Sequence, residues 1–451
     1  MDGTVLEPLL VDLYELTMAE AYRRGGMAEV PASFSLYVRT LPPTRPYLVA
    51  AGLADALDWL EALHFGEDEL AALDGLGVLP AELLDLLADF RFTGTVRAVP
   101  EGTIVFAEEP LLEVDAPLLE AQLAETFLLN QVTLQTNLAT TAARCRAAAD
   151  GRSVVDFSLR RTHGIDAGMK VARVARIVGL DGTSNVAGAV RYGVPASGTM
   201  AHAFVQAHGD EREAFRLFAE AFGESSILLV DTYDSLRGID RAIEVATELR
   251  GRGVELLGVR LDSGDLAELS RTARERLDAA GFDRMQIFAS GDLDEFRIHR
   301  LVHEERAPID GFGVGSSLGA SKYAPTLNGV YKLTEVDGRP VRKTSVGKVT
   351  WPGRKQVWRA ADGSHDVLAL ADEPAPGEGY VPLLEEVMAD GVRRRPDPDL
   401  DEVHAHFCRE WDALPDELRR IEEEPARRVV QVSDQLRATA AGVDARIAEG
   451  V

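Results

Sequence analysis

Cysteine is scarce in this chain of 451 residues, and Cys145 and Cys408 are the only two. Neither has a second cysteine nearby, which excludes a disulfide framework and a cysteine-rich zinc module. Two isolated thiols fit a reducing compartment, so we expect a cytoplasmic location. No basic segment leads into an apolar run near Met1, and we expect no secretory signal.

Long apolar runs and an excess of positive charge are also missing. The longest uncharged stretch, Thr126 to Ala143, contains many Asn, Gln and Thr side chains, which are too polar for a bilayer span. Lys and Arg number 48 against 74 Asp and Glu, and the net charge of −26 argues against a nucleic-acid coat. We therefore expect neither membrane nor nucleic acid as a partner. The 46% of apolar residues can fill roughly two to four domain cores.

The first third of the chain combines predicted strands with an acidic helical segment. Residues 51–90 contain ten acids and neither Lys nor Arg, and their leucines recur at helical spacing. We expect these residues to form a helical insertion between strands. The β-prone runs around it are Phe34 to Val38, Phe92 to Val99, Thr103 to Phe106 and Leu111 to Val114.

The middle of the chain alternates strand and helix. One helix is predicted from Leu266, Leu269, Ala273 and Leu277, with Ser263 as its N-cap. This alternation indicates a parallel sheet, either open or closed into a barrel. The predicted strands are Ser153 to Phe157, Ile227 to Asp231, Leu256 to Leu261, Gln286 to Ser290 and Ile309 to Val314.

The last third returns to hairpins and then to charged helix. Asp337-Gly338 is a strong turn signal between the strands Val330 to Val336 and Pro340 to Thr344. Residues 391–451 read as charged helix. Seven cations make residues 339–359 a basic segment: Arg339, Arg342, Lys343, Lys348, Arg354, Lys355 and Arg359.

Polar residues follow the predicted parallel strands, where ligands of α/β proteins bind. Arginine can fork onto phosphate, aspartate can bind ribose hydroxyls or Mg²⁺, and glycine-rich backbone can cradle phosphate. Together they predict a site for a phosphorylated sugar with a divalent metal. The candidates in chain order are Arg160, Arg161, Thr162, His163, Asp231, Asp234, Arg260, Asp262, Asp265, Ser290, Gly291, Asp292, Gly313, Gly315, Ser316 and Ser317.

Two other patterns leave alternatives open. Gly315 to Gly319 matches G-x-S-x-G, which would make Ser317 the nucleophile of a serine hydrolase. That motif needs a helix directly afterwards, whereas the sequence from Lys322 reads as loop. His202 follows a run of small residues at a predicted helix start, and it is either a phosphoryl acceptor or a hydrogen-bonded core histidine.

Seven strings, in the same order as in the family, resemble the nicotinate phosphoribosyltransferase family and span residues 12 to about 356. The strings are Asp12 to Met18, Asp156 to Arg161, Gly198 to His202, Leu228 to Tyr233, Gly258 to Leu266, Gly313 to Ser317 and Val330 to Leu333.

The resemblance implies an α/β fold with two domains. One is an irregular TIM-like α/β barrel at residues 136–327. The other is an α/β sandwich formed by residues 1–135 and 328–390, which contains the acidic insertion 51–90. Residues 391–451 match no motif and are expected as a charged helical C-terminal segment.

The resemblance also implies a reaction. Nicotinate and phosphoribosyl pyrophosphate would give nicotinate mononucleotide and pyrophosphate, with coupled ATP hydrolysis, in a homodimer that uses Mg²⁺. Nicotinamide-using and quinolinate-using relatives remain alternatives, as does a phosphosugar-binding regulator without catalysis.

The family pattern assigns roles to residues of this chain. Tyr14 would stack on nicotinate from the partner subunit, and Thr199 and Arg260 would bind nicotinate. His202 matches the histidine that ATP phosphorylates. Asp262 would hold ribose hydroxyls or the metal. Ser316, where the family often has Thr, would bind a phosphate of phosphoribosyl pyrophosphate. By residue type, Arg160, Arg161 and Arg260 are the candidates that stabilise the departing pyrophosphate and bind the nicotinate carboxylate.

Overall fold

The computed structural model describes residues 7–345 and 347–450. Three-residue 3₁₀ helices lie at Glu7–Leu9, Leu159–Arg161 and Gly223–Ser225, and a π-helical turn lies at Arg300–Glu304. The α-helices are α1 (Leu13–Arg24), α2 (Leu53–Ala62), α3 (Glu67–Gly75), α4 (Ala81–Ala88), α5 (Leu118–Leu123), α6 (Glu125–Ala149), α7 (Ile165–Val178), α8 (Val186–Tyr192), α9 (His202–His208), α10 (Glu211–Phe222), α11 (Ser235–Arg250), α12 (Leu266–Ala279), α13 (Glu295–His299), α14 (Ser316–Gly319), α15 (Leu400–Ala413), α16 (Asp416–Arg419) and α17 (Asp434–Ala448).

The strands form two larger and two smaller sheets. They are β1 (Pro31–Val38), β2 (Leu48–Val49), β3 (Thr95–Ala98), β4 (Ile104–Val105), β5 (Pro110–Pro117), β6 (Ser153–Asp156), β7 (Gly182–Thr183), β8 (Ile227–Leu229), β9 (Gly258–Leu261), β10 (Gln286–Ala289), β11 (Gly311–Val314), β12 (Gly329–Val336), β13 (Arg339–Pro340), β14 (Lys355–Ala360), β15 (Asp366–Leu370), β16 (Tyr380–Pro382), β17 (Glu385–Ala389), β18 (Val392–Arg393) and β19 (Gln431–Val432).

The chain divides into two compact units. The second unit contains Leu138–Pro325 and the short stretch Arg419–Glu423, and the first contains the rest. Most of the C-terminal residues, expected as a separate segment, belong to the first unit. There β19 pairs with β15, and Leu436 of α17 is buried in the hydrophobic core. In the described part of the chain, no helix has both the length and the hydropathy needed to cross a bilayer.

The first unit is an α/β sandwich with a helical insertion, as predicted. Its largest sheet has the order β13-β12-β1-β5-β3-β17-β18, and its pairs are antiparallel. A four-stranded sheet has the order β16-β14-β15-β19. Stacking of Phe34 on Tyr331, with ring centroids 4.9 Å apart, joins neighbouring strands of the core. The acidic segment forms α2, α3 and α4, whose buried leucines include Leu60, Leu83 and Leu87.

The predicted hairpin turn is present, but the second strand is shorter than expected. Asp337 and Gly338 both have positive φ, at 51° and 67°, as a type I′ turn requires. Strand β13 ends at Pro340, and Val341 to Thr344 are irregular.

The basic segment 339–359 is in part an internal ion-pair layer. The Lys355 ammonium is buried against Glu113, and Arg359 forks onto Asp366 at 2.8 and 2.9 Å. Burial and these partners explain why part of the local positive charge does not face solvent. Sequence composition could not show this, since Glu113 lies 242 residues from Lys355.

The second unit is the irregular TIM-like α/β barrel. Its sheet has the order β7-β6-β11-β10-β9-β8, and each pair is parallel. Parallel pairing places the carboxyl ends of these strands along one edge. The strands are buried apolar runs such as Val154 and Val155, and amphipathic helices follow most of them.

The cap of α12 differs from the prediction. Asp265, and not Ser263, is the N-cap, because its side chain accepts the backbone N–H groups of Ala267 and Glu268. The Ser263 hydroxyl instead donates to Asp231 at 2.6 Å. The serine therefore joins two loops of the sheet edge, and the helix start is set two residues later.

Candidate active site

A cavity of about 230 Å³ opens at the carboxyl edge of the parallel sheet. Successive strand ends contribute to its wall, which is the arrangement that the sequence predicted for a ligand site. The lining residues are Phe157, Arg160, Arg161, Asp262, Ser290, Gly291, Asp292, Leu293, Gly313, Gly315 and Ser316.

Two glycines of this wall are required by close packing. A Cβ on Gly291 would lie 1.9 Å from the carbonyl oxygen of Asp262, and Gly291 also has a φ of +87°. A Cβ on Gly313 would lie 2.3 Å from the Phe157 ring. Neither position tolerates a side chain unless the backbone or the ring moves. The glycines therefore keep the cavity open and the β9 and β10 loops in contact.

Arg160 and Arg161 form the cationic side of the cavity. Both are exposed on the 3₁₀ turn after β6. Within residues 7–345 and 347–450, no ion pair of either guanidinium is found. The turn is anchored by the buried Asp156, which accepts from the Ser158 backbone N–H and the Thr183 hydroxyl. Burial raises the pKa of Asp156, and the two donors oppose this effect. The two free guanidinium groups suit an anionic ligand.

Asp231 and Asp262 meet at the ends of β8 and β9. Asp231 Oδ2 accepts the Asp262 backbone N–H at 3.0 Å, while its Oδ1 atom is buried without a hydrogen-bond partner. Ser290 donates its hydroxyl to Asp262 Oδ1. Two carboxylates thus lie beside the cavity, and one of their oxygens has an unused acceptor site.

Arg260 lies at the end of β9 and holds the segment that precedes α9. Its Nη1 donates to the Thr199 hydroxyl at 2.6 Å, and Nη2 donates to the Met200 carbonyl at 3.1 Å. Its Nε atom is buried without a partner. Burial lowers the pKa of Arg260, and the carboxylates of Asp262 and Asp231 oppose this effect. The guanidinium stays charged and keeps one donor for a ligand.

His202 begins α9 and is not a core histidine. Its side chain is 40% exposed. Nδ1 is hydrogen-bonded to the Thr232 hydroxyl at 3.1 Å, and Nε2 lies 3.8 Å from Asp262 Oδ2. The second distance is too long for a hydrogen bond. The imidazole is therefore held through one nitrogen, and the other faces the carboxylate that lines the cavity.

Several predicted site residues have structural roles instead. Asp234 and Asp265 are the N-caps of α11 and α12, and each accepts one or more backbone N–H groups through one carboxylate oxygen. Thr162 donates its hydroxyl to carbonyl groups of its own turn.

Tyr14 lies on α1 of the first unit and is half exposed. Burial, together with the carboxylates of Glu125 and Glu15, raises the pKa of its hydroxyl.

The structure gives the serine-hydrolase interpretation of Ser317 no support. A helical turn does follow Gly315, which the sequence did not predict, but α14 is only four residues long. Ser317 is 5% exposed, and none of the described histidines is hydrogen-bonded to its hydroxyl. Without a base in contact, the hydroxyl cannot be activated as the motif requires.

Sequence reasoning missed Thr232 and Phe157. Thr232 lies in the family string Leu228 to Tyr233. Its position directly after Asp231, at a strand end, could have marked it as a site residue. Phe157 forms the floor below Gly313, and Arg260 Cζ lies 5.8 Å from its ring centroid. An aromatic residue at a strand end carries no such signal, because most aromatic residues serve only the core.

Comparisons with known proteins agree with this geometry. The nicotinate phosphoribosyltransferase N-terminal domain matches residues 9–133, and the nicotinate phosphoribosyltransferase family matches residues 152–356. Nicotinate phosphoribosyltransferase pncB2 of Mycobacterium tuberculosis is 49% identical over 432 residues, covering 95% of this chain and 92% of that protein. The chain belongs to the nicotinate phosphoribosyltransferase family.

Other members of the family match over most of their length. The nicotinate phosphoribosyltransferase of Bacillus subtilis is 44% identical, covering 81% of this chain and 76% of that protein. The crystal structure of human nicotinic acid phosphoribosyltransferase superposes with a TM-score of 0.85 at 30% identity, covering 96% of this chain and all of that one. Both units of the present chain therefore belong to the family fold.

Proposed function

We propose that this chain is a nicotinate phosphoribosyltransferase of NAD salvage, which forms nicotinate mononucleotide and pyrophosphate from nicotinate and phosphoribosyl pyrophosphate. The proposal rests on one observation: this chain belongs to the family, and a cavity opens at the carboxyl edge of its parallel sheet. The guanidinium groups of Arg160 and Arg161 and the Asp262 carboxylate line it, and Asp231 and the half-buried Arg260 lie at the neighbouring strand ends. This set suits an anionic sugar phosphate and an aromatic acid.

The phosphorylated substrate would bind where the cavity is most cationic. Arg160 and Arg161 would pair with phosphate oxygens, and the backbone around Gly313 and Gly315 would approach them closely. Ser316 would add a hydroxyl donor. The support for these roles is the absence of competing ion pairs at both arginines within the described residues, together with the space that the glycines leave.

Nicotinate would bind at Arg260. Its buried Nε–H lacks an acceptor, and a carboxylate is the acceptor that best matches a buried guanidinium. Thr199 would act mainly by holding that guanidinium in place. The pyridine nitrogen then attacks ribose C1, the bond from C1 to pyrophosphate breaks, and no general base is needed.

Asp231 and Asp262 fit a magnesium ion that is shared with the substrate. Asp231 Oδ1 is a buried acceptor without a partner, and hard carboxylate oxygens are the ligands that Mg²⁺ prefers. Among the described residues, no group of three or more potential protein ligands comes together, so phosphates and water would complete the coordination. When bound, Mg²⁺ would neutralise charge on the departing pyrophosphate. Asp262 is also placed to accept ribose hydroxyl groups.

His202 would couple ATP hydrolysis to the transfer. The terminal phosphoryl group of ATP would pass to an imidazole nitrogen as the bond to ADP breaks, and water would later release phosphate. The exposure of His202 and its distance of 3.8 Å from Asp262 support this role. We expect ATP to stimulate nicotinate mononucleotide formation in the wild type but not in His202→Ala. His208→Ala, at the exposed far end of α9, is the control and should keep the stimulation. Equal stimulation in His202→Ala would contradict the assignment.

A homodimer with shared sites is part of the proposal. The half-exposed ring of Tyr14 would complete the site of the partner subunit. Mixing Tyr14→Ala with Arg260→Ala protein and refolding them together should restore about a quarter of wild-type activity, because half of the dimers carry one intact site. No restoration would show that each site uses one chain alone. The two free thiols support a cytoplasmic location.

A further inference from the structure

We propose that a cavity in the first unit is a second ligand site, which takes a small uncharged ring compound with one hydrogen-bonding group. The cavity has a volume of about 430 Å³, against about 230 Å³ for the cavity at the edge of the parallel sheet. Its wall is formed by α2, the loop before β4, β17 and α15 with the segment that leads into it. Helix α15 belongs to residues 391–451, which match none of the family strings, and the proposed transfer reaction makes no use of this cavity.

Most of the wall is apolar and is held in place by packing. Leu57 of α2 and Val403 of α15 are buried, and Pro396 and Pro398 restrict the backbone of the segment before α15. A Cβ on Gly102 would lie 3.0 Å from the Val403 carbonyl oxygen, so the loop before β4 is in direct contact with α15. The cavity is therefore a preformed space, which lowers the cost of binding a ligand.

The charged side chains before α15 already have ionic partners. Arg395 pairs with Glu385 at 2.6 Å, and Asp397 accepts from Arg393, which also pairs with Glu61. A charged ligand would have to compete with these partners or be buried without one, and either event weakens binding. These pairs favour a ligand without charge.

The two other carboxylates of the wall serve helix ends. Glu101 is buried, and its Oε1 atom accepts the backbone N–H groups of Gly52 and Leu53 at 2.6 and 3.2 Å, at the start of α2. Glu402 completes the capping box of α15 with Asp399. Each carboxylate therefore balances the partial positive charge of a helix N-terminus, and neither requires a cationic ligand.

His406 is the polar group of the wall that remains for a ligand. Its Nε2 atom is hydrogen-bonded with the Thr103 hydroxyl at 2.9 Å, whereas Nδ1 has no hydrogen-bond partner among residues 7–345 and 347–450. Burial lowers the pKa of His406, with Glu410 opposing this effect, so the imidazole is neutral near pH 7. The Thr103 hydroxyl can donate or accept, so either tautomer is allowed and Nδ1 can accept from a ligand N–H or O–H group.

The volume of the cavity suits two fused rings. An apolar cavity of about 150 Å³ holds benzene, and sites for small ligands begin at about 300 Å³. Indole has two fused rings, no charge and one N–H group, and so represents this class of ligand. A bound ring would contact both α2 and α15, which are far apart in the sequence, and would stabilise their association.

Fluorine NMR of the full-length protein tests the site with two compounds of the same shape. 5-Fluoroindole should bind saturably to the wild type, with a Kd of about 0.1–1 mM. In 5-fluorobenzothiophene, sulfur replaces the N–H group. The affinity for 5-fluoroindole relative to 5-fluorobenzothiophene should fall about 5-fold in His406→Phe, because only the indole N–H can bond to Nδ1. An unchanged ratio would overturn the assignment of His406 as the partner of the ligand.

A pair of matched substitutions locates the bound compound. Ala54→Phe places a ring in the cavity and should abolish binding, whereas Ala72→Phe, at an exposed position of α3, should leave the Kd unchanged. Circular dichroism checks the folding of both variants, and the affinity ratio in His406→Phe gives a second reading that does not use them.

A charged analogue tests the class of ligand. 5-Fluoroindole-3-acetate adds a carboxylate and should bind at least about 10-fold more weakly than 5-fluoroindole. Tighter binding of the acid, no saturable binding to the wild type, or unchanged binding in a folded Ala54→Phe protein would overturn the proposal. None of these measurements uses transferase activity, so this site and the proposed function succeed or fail separately.

Discussion

The guanidinium of Arg260 donates to the hydroxyl of Thr199 at 2.6 Å, and this contact links the end of β9 to the segment that begins α9. The residue proposed to bind the nicotinate carboxylate therefore also supports the residue proposed to accept phosphate. Arg260 therefore affects both nicotinate binding and the orientation of His202.

Thr199→Val should weaken nicotinate binding. Hydrogen bonds to charged groups contribute about 1.5–3 kcal/mol, and a partly buried guanidinium that loses one partner turns away from its ligand. We expect the KM for nicotinate to rise about 10-fold or more. Thr199→Ser keeps the acceptor and should remain close to wild type. Steady-state kinetics at saturating phosphoribosyl pyrophosphate measures the effect, and an unchanged KM in Thr199→Val would show that the contact does not position Arg260.

Gly291→Ala should abolish most activity. The new Cβ would meet the carbonyl oxygen of Asp262 at 1.9 Å, so the loop that carries this carboxylate must move. A displacement of about 1 Å at a reacting centre costs about 100-fold in rate, and we expect kcat/KM to fall by at least that factor.

Gly253→Ala is the matched control for this change. Gly253 also has a positive φ, +84°, but nothing lies within 4 Å of its Cβ position. Only backbone strain of about 1 kcal/mol is expected, with kcat/KM unchanged. Similar losses of kcat/KM in the two variants would mean that backbone strain, and not the contact with Asp262, causes the loss in Gly291→Ala.

Glu15→Gln should change how stability depends on pH. Glu15 is fully buried on α1, and burial raises its pKa to about 8, with Glu125 and Asp12 acting in the same direction and Thr126 opposing them. An exposed glutamate titrates near 4.5. The unfolded chain therefore releases a proton between about pH 4.5 and 8 that the folded protein retains, and the free energy of unfolding falls as pH rises through this window.

Urea unfolding between pH 5 and 8 measures this effect. The glutamine variant should lose the part of the slope that Glu15 causes, whereas Glu29→Gln, at an exposed position of the same unit, should keep it. Parallel curves for wild type and Glu15→Gln would show that Glu15 is ionised in the folded protein.

Lys355→Met should lower stability without affecting phosphate binding. Removing one partner of a buried pair costs about 3–5 kcal/mol, and Arg97, which also pairs with Glu113, keeps the expected loss near 3 kcal/mol. The KM for phosphoribosyl pyrophosphate should not change. Lys348→Met, at an exposed position of the same basic segment, should leave stability unchanged. A raised KM in a fully folded Lys355→Met protein would show that this lysine contributes to phosphate binding.

The parts of the fold that depend on local signals followed from the sequence. Buried parallel strands such as β9 are short apolar runs with polar residues directly afterwards, and the turn at Asp337-Gly338 has a specific backbone requirement. The resemblance supplied the order of the two units. The carboxyl ends of successive strands then brought Arg160, Asp262 and Ser316 to one cavity, as expected.

The features that depend on partners distant in the sequence could not be predicted from it. Nothing near Lys355 in the sequence indicates Glu113, so the sequence shows a basic segment and not the buried ion pair within it. Ser263 and Asp265, two residues apart, are both candidate N-caps of α12. Asp265 is the cap, because the Ser263 hydroxyl donates to Asp231 instead. Thr232 and His202 are 30 residues apart, and only the parallel sheet explains why they meet.

The most direct test of the central proposal is product analysis with competing pyridines. Ring-deuterated nicotinate is mixed with equal amounts of unlabelled nicotinamide and unlabelled quinolinate. Phosphoribosyl pyrophosphate, ATP and Mg²⁺ are added, and the products are distinguished by mass. The account predicts deuterated nicotinate mononucleotide as the main product. Nicotinamide mononucleotide, unlabelled nicotinate mononucleotide formed from quinolinate, or substrate binding without turnover would contradict it.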